Sequence, residues 1–144
     1  MEGPPQINPA GLADYLDVMS KAVFQSGMSW RVVEAKWAGT REAFYGFDPA
    51  RLIDLTPDEV DELARDTRLI RNRRKIEATI QNAQILLDLD QQHHGFKRYL
   101  ESFPSYDALS ADLIKRFKFL GKTGAYFFLY VVGEPVPPHA EVMG

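Results

Sequence analysis

Apolar residues recur every three or four positions through most of this chain and almost nowhere alternate with polar ones. That period belongs to helices with one face turned to a core, so an all-α fold is expected. Asn8 followed by Pro9 predicts a helix start, with Leu12, Leu16, Met19 and Val23 in one stripe and an end near Gly27. Ser29 is the next expected cap, with Trp30, Val33 and Trp37 on a common face. Thr40 is expected to open a short turn ending at Gly46, and Asp48-Pro49 another through Leu52 and Ile53. Thr56-Pro57-Asp58-Glu59 reads as a capping box with proline at the first helical position, ahead of Val60, Leu63 and Ala64. A longer helix is predicted from about Asn72 to Asp90, with Ile76, Ile80, Ala83 and Leu87 inward. Phe96, Tyr99, Leu100 and Phe103 predict a short helix that Pro104 breaks.

Two more helices follow, one through Leu109, Leu113 and Phe117 and one through Tyr126, Leu129 and Tyr130. A tight bend on Leu120 and Gly121 joins them, and Gly133 closes the second at the usual C′ position. The expected architecture is a compact helical domain over residues 9–134, containing a helix-hairpin-helix near 108–133. A flexible N-terminus (1–8) and an irregular C-terminal tail (135–144) flank it.

Composition narrows the class. With 144 residues, 45% of them hydrophobic, the chain holds one domain's worth of core. It has no cysteine, hence neither disulfides nor thiolate chemistry, which suits a reducing cytoplasm. No apolar run is long enough to cross a membrane, and the polar, proline-rich start Met1-Glu2-Gly3-Pro4-Pro5 does not read as a signal peptide.

A net charge of −3 makes no global attractor for nucleic acid, but the cations are unevenly spread. Arg68, Arg71, Arg73, Arg74 and Lys75 fill one window, and Lys115, Arg116, Lys118 and Lys122 flank the bend. A phosphate-binding face would explain two such windows; two solvated helix ends would explain them equally well.

Three groups of residues bear on chemistry. In Phe117-Lys118-Phe119-Leu120-Gly121-Lys122-Thr123-Gly124, the glycines let backbone approach a ligand, and the next helix offers unpaired amides and a positive dipole end. Lys122 adds a charge there and Thr123 a hydroxyl; the plainer alternative is a structural turn between packed helices. Gln25-Ser26-Gly27-Met28-Ser29-Trp30 presents a methionine and a tryptophan side by side. Both could be core, or Met28 could enter a base stack while Trp30 floors a pocket for an everted base. Neither the adjacent His93 and His94 nor the isolated His139 shows ligand spacing, so no metal site and no zinc are expected.

Four stretches taken in register resemble one family. They are Gln25-Ser-Gly-Met-Ser-Trp30, Phe44-Tyr-Gly-Phe-Asp-Pro49, the run from Ile70 through Arg73, Arg74 and Lys75 to Ala83, and Leu109-Ser110 through Gly121-Lys122-Thr123 to Tyr126. In order and spacing, over residues 12–140, they look like bacterial DNA-3-methyladenine glycosylase I, of the helix-hairpin-helix glycosylases. The resemblance implies a monofunctional enzyme that everts an alkylated purine from double-stranded DNA and hydrolyses its N-glycosidic bond, as a cytoplasmic monomer. The alternative is a non-catalytic relative that recognises damaged or distorted duplex. By likeness Trp30 is the base-binding tryptophan, and Met28 takes the place of the family's duplex-plugging leucine. Gly121, Lys122, Thr123 and Gly124 would bind DNA phosphate, with a monovalent cation on the hairpin carbonyls and no obligate cofactor.

Two departures stand out. The family's Tyr-His-Asp-x-Glu-Trp-Gly segment and its zinc-binding residues have no counterpart in these 144 residues; His139 alone falls near a ligand position, one residue out of register. The position of the family's base-recognising glutamate is Ala22, which leaves the catalytic group unassigned, with Asp17, Glu34 and Glu141 as substitutes to consider.

Overall fold

The helix over residues Leu12–Gln25, α1, runs through the middle of the molecule: its Leu16, Met19 and Val23 are fully buried, as the stripe predicts, and so is Phe24. The computed structural model describes residues 4–139 and 141. After α1 come α2 (Trp30–Ala43), a 3-10 turn (Tyr45–Phe47), α3 (Pro49–Leu52), α4 (Pro57–Arg65), α5 (Arg73–His93), α6 (Phe96–Leu100), α7 (Tyr106–Arg116) and α8 (Lys122–Val131). The all-α class is borne out: the described residues form helices and no strand. Helices α2, α5 and α8 pack around α1, and α3, α4 and α6 lie along α5.

Local chemistry moves several boundaries. The first helix starts at Leu12, not Pro9, because Gly11 is fully extended and Asp14 accepts from the Ala10 amide at 2.8 Å. Asn8 is not its cap. Thr40 opens no turn: its hydroxyl donates to the Lys36 carbonyl at 2.8 Å, and α2 runs on to Ala43. The bend that follows is made by Tyr45, Gly46 and Phe47, at φ 55, 68 and 58°. The Thr56 capping box forms as expected, with the Glu59 amide 3.2 Å from the hydroxyl and the Glu59 carboxylate 3.0 Å from the Thr56 amide. Helix α5 reaches His93 and presents Ile76, Ala83, Leu86 and Leu89 to the core, while Ile80 and Leu87 are only half-buried.

Two aromatic groups brace α1. On one side Trp37 stacks on Phe47 (5.4 Å between centroids) and Phe47 on Phe44 (5.2 Å). On the other, Tyr15, Phe96 and Tyr99 meet edge-on or tilted at 5.0 and 5.4 Å. The Trp37 indole donates to Asp17 at 2.8 Å, and Arg41 pairs with the same carboxylate, which ties α2 to α1.

Both ends of the domain are pinned. Within the 1–8 segment, the Ile7 backbone amide donates to the Val131 carbonyl at 2.7 Å and the Gln6 side-chain amide to the Tyr130 carbonyl at 2.9 Å, serving carbonyls at the end of α8. Gly133, at φ 84°, closes that helix. In the tail, the Tyr126 hydroxyl donates to the Pro137 carbonyl at 2.9 Å.

Candidate functional site

Helices α7 and α8 form the expected hairpin, but the special backbone position falls elsewhere than on its glycines. Phe119 carries the left-handed conformation, at φ 57°, whereas Gly121 is extended at φ −102°. A Cβ on Gly121 would meet nothing within 4 Å, so that surface is open. Gly124 is a packing residue: a Cβ there would lie 3.1 Å from the Leu120 side chain and 3.6 Å from the Ala22 methyl. It brings α8 close against α1. No side chain caps α8, and its first intrahelical bond runs from the Ala125 amide to the Gly121 carbonyl at 2.8 Å. The amide-rich end is therefore presented outward, with Gly121, Lys122 and Thr123 exposed.

A cleft of about 310 Å³ lies between this end of α8 and the C-terminal end of α1. Ala22, Gln25 and Ser26 form one wall; Phe119, the residues from Gly121 to Gly124, and Phe127 form the other. Its volume is at the small end of the range for ligand pockets. Of the residues singled out in the sequence, Ala22 and the four hairpin positions meet here. Trp30 and Met28 do not line the cleft. They stand in the adjoining turn, exposed at 57% and 40%, while Val33 and Trp37 of the same helix are buried. The aromatic side chains that do line it are Phe119 and Phe127.

Helix α5 holds both walls. The Lys75 ammonium is buried and donates to the Phe24 carbonyl at 3.2 Å and the Ser26 carbonyl at 2.5 Å, serving oxygens that the end of α1 leaves unpaired. Desolvation pushes this ammonium below its ordinary pKa. Two turns on, the Asn82 side chain accepts from the Lys118 amide at 2.7 Å and donates to the Lys118 carbonyl at 3.1 Å, clamping the hairpin loop. Thr79 lies buried between them and donates to the Lys75 carbonyl at 2.9 Å. These positioning residues escaped the sequence reading, although three polar residues at i, i+4 and i+7 within a buried stripe were a usable signal.

Replacing Lys75 with methionine keeps the stem but leaves both carbonyls without a donor. The expected loss is roughly 2–3 kcal/mol in urea denaturation. Arg73→Met, which removes an exposed pair with Asp61, should cost at most about 1 kcal/mol.

The two basic windows converge. Arg74 of α5 lies over the Phe119 ring of the hairpin, 5.5 Å from its centroid. Arg68, Arg73 and Arg116 are engaged by Asp66 and Glu42, by Asp61, and by Asp112. Arg71, Arg74, Lys115, Lys118 and Lys122 are exposed and make no ion pair among the described residues.

The three substitute acids are elsewhere. Asp17 holds Trp37 and Arg41, Glu34 pairs with Lys21 at 2.5 Å, and Glu141 lines a separate groove with Tyr106 and Ser110. Among the described residues no Asp or Glu lines the cleft. His139 packs edge-on against Tyr126 at 5.5 Å and His93 against Tyr99 at 5.3 Å. Among the described residues no group of three His, Cys, Asp or Glu is placed to hold a metal, so the family's zinc has no fitting ligand set in them.

A helical domain whose α–loop–α hairpin borders a base-sized cleft and carries unpaired cations belongs with proteins that act on nucleic acid. Residues 13–107 match the Methyladenine glycosylase family, and the chain is a member of it. It is 33% identical over 130 residues to DNA-3-methyladenine glycosylase 1 of Escherichia coli (strain K12), spanning 76% of this chain and 70% of that protein. The solution structure of a 3-methyladenine DNA glycosylase I superposes with a TM-score of 0.76 at 30% identity, covering 99% of this chain and 84% of that one. The Staphylococcus aureus 3-methyladenine DNA glycosylase I, solved to explain its recognition of 3-methyladenine, gives 0.73 at 27% identity, covering 91% and 79%. The family match ends within α7, so the hairpin's likeness is carried by these structures.

Proposed function

We propose that this protein is a monofunctional DNA glycosylase of the 3-methyladenine type, acting on an alkylated purine in duplex DNA. The observation that carries the reading is that one cleft has the end of α1 as one wall and the hairpin, with the exposed amide end of α8, as the other. Lys122 and the amide end of α8 hold the sugar–phosphate strand, and Met28 fills the place the everted base vacates. Trp30 stacks on that base at the cleft mouth. A single chain supplies both walls, so the cleft needs no second copy, and the protein is read as a monomer acting in the cytoplasm. No described helix is long and apolar enough to cross a membrane.

An alkylated purine with a cationic ring leaves as a neutral base. The C1′–N bond breaks with its electrons passing to the ring, water adds to C1′, and the proton lost from that water goes to solvent. No lysine nucleophile is needed. The residues' work is to extract, stack and orient the base and to admit water from one side. Hairpin carbonyls also suit a monovalent cation: those of Phe119 and Leu120 accept no backbone hydrogen bond among the described residues, whereas that of Lys118 is held by Asn82. Such a cation would add positive charge facing a phosphate.

The test is chromatography of the bases freed from methylated duplex DNA. Release of a methylated purine above the protein-free control is expected, with duplex affinity falling steeply as salt rises. A second reading, damage recognition without excision, draws on the absence of any carboxylate among the described residues that line the cleft. Duplex binding with no base released would select it.

A further inference from the structure

Three cations open α5 behind its N-cap Asn72: Arg73, Arg74 and Lys75. That is the unfavourable end of a helix for positive charge, because its free amides and dipole already make it positive. Two of the three are compensated. Arg73 pairs with Asp61 at 2.6 Å and Glu77 at 3.5 Å, and Lys75 donates to the Phe24 and Ser26 carbonyls. Arg74 is exposed and has neither an ion pair nor a carbonyl partner among the described residues. Its guanidinium lies instead over the Phe119 ring, 5.5 Å from the centroid. That ring is itself unusually placed: Phe119 is 41% exposed and takes a left-handed φ of 57°, which a bulky side chain adopts only with strain. Asn82 fixes the loop beneath it by bonding both the amide and the carbonyl of Lys118. A fixed, exposed ring thus carries a cation that has no anion beside it. The amide end of α8 begins at Lys122, in the same turn of chain.

We propose, building on the glycosylase reading, that Arg74 binds a second phosphate of the DNA strand held at the hairpin. Phe119 is the positioning residue that lays the guanidinium flat for it. Stacking on a ring leaves the N–H donors at the guanidinium edge free for two phosphate oxygens, a geometry an ammonium cannot reproduce.

The test measures affinity for a duplex carrying a stable abasic-site analogue at several salt concentrations. Arg74→Gln is expected to bind roughly tenfold more weakly at low salt, a difference of about 1.4 kcal/mol. Its slope of log affinity against log salt should be shallower by about 1, as expected for one lost phosphate contact. Its melting temperature should be unchanged or higher, since a cation leaves the positive end of α5. Phe119→Leu keeps the charge but frees the guanidinium, so adding Arg74→Gln to it should cost clearly less than in the unmodified protein. An unchanged salt slope in Arg74→Gln would overturn the phosphate contact. A lowered melting temperature would overturn it too, by making Arg74 a structural residue. An equal loss in the Phe119→Leu background would overturn the role given to the ring. Base release from methylated duplex separates this from the parent reading. A shallower slope with no base released by the unmodified protein overturns catalysis and supports the contact. Base release with an unchanged slope overturns the contact and leaves catalysis standing.

Discussion

Trp30→Ala is expected to lower the release of a methylated purine about a hundredfold, near the upper end of what one stacked base contributes. The fold should be almost untouched. Trp30 is 57% exposed at the first position of α2, whereas Trp37, which is 4% exposed, anchors that helix through Phe47 and Asp17. A loss of release with an unchanged melting temperature therefore reports on the base and not on packing. The competing aromatic is Phe119, which lines the cleft and carries Arg74 over its ring. If Trp30→Ala retains release and Phe119→Ala loses it, the base stacks on the hairpin and the role assigned to Trp30 is wrong. Phe119→Asn is the gentler companion variant, since asparagine tolerates the left-handed backbone at that position.

Gly121→Asp should pull stability and binding in opposite directions. Position 121 is the N-cap of α8, extended, with open space where a Cβ would stand, so the substitution is free of strain. An aspartate there can accept from the first amides of the helix and faces the positive end of its dipole, a gain of a few tenths of a kcal/mol over glycine. The same carboxylate occupies the amides proposed to bind a phosphate and adds like charge beside it. Duplex affinity is expected to fall by about 2 kcal/mol, roughly 30-fold, and by less at high salt. Unchanged affinity alongside raised stability would remove the hairpin from the DNA interface.

The sequence made the scaffold legible wherever one residue type has one use. Thr56-Pro57-Asp58-Glu59 forms its capping box, and Gly133 takes the left-handed closing position. It misled where two residues compete for one role. Gly121 looked like the bend's conformational joint, yet Phe119 carries the positive φ, and Gly124 is needed for the close approach of α8 to Ala22. Asn8-Pro9 looked like a helix start, but Asp14 reaches back to the Ala10 amide and the chain stays extended through Gly11.

For the candidate site, the hairpin positions and the position of the missing acid were readable from local motif and likeness. Their meeting in one cleft was not, because Ala22 and Gly124 come from opposite ends of the chain and are joined only by packing. Lys75 read as part of a basic run that a phosphate-binding face or a solvated helix end would explain equally well. Its ammonium instead points inward to two carbonyls, since the end of α1 is buried beneath it and needs donors. Among the acids, Asp17 is unavailable: its carboxylate already serves the Trp37 indole and the Arg41 guanidinium, contacts that packing of α2 on α1 creates.

The central claim is that the hairpin loop and the end of α1 together form the surface that meets damaged DNA. Titrating a duplex that carries a stable abasic-site analogue into ¹⁵N-labelled protein, and mapping the amides that move, tests it most directly. Movement at residues 25–30 and 118–124, with none where the Tyr99 hydroxyl donates to Asp112 or in the groove lined by Tyr106 and Ser110, is the predicted result. Movement confined to that groove, or absent from 118–124 at saturation, would contradict it.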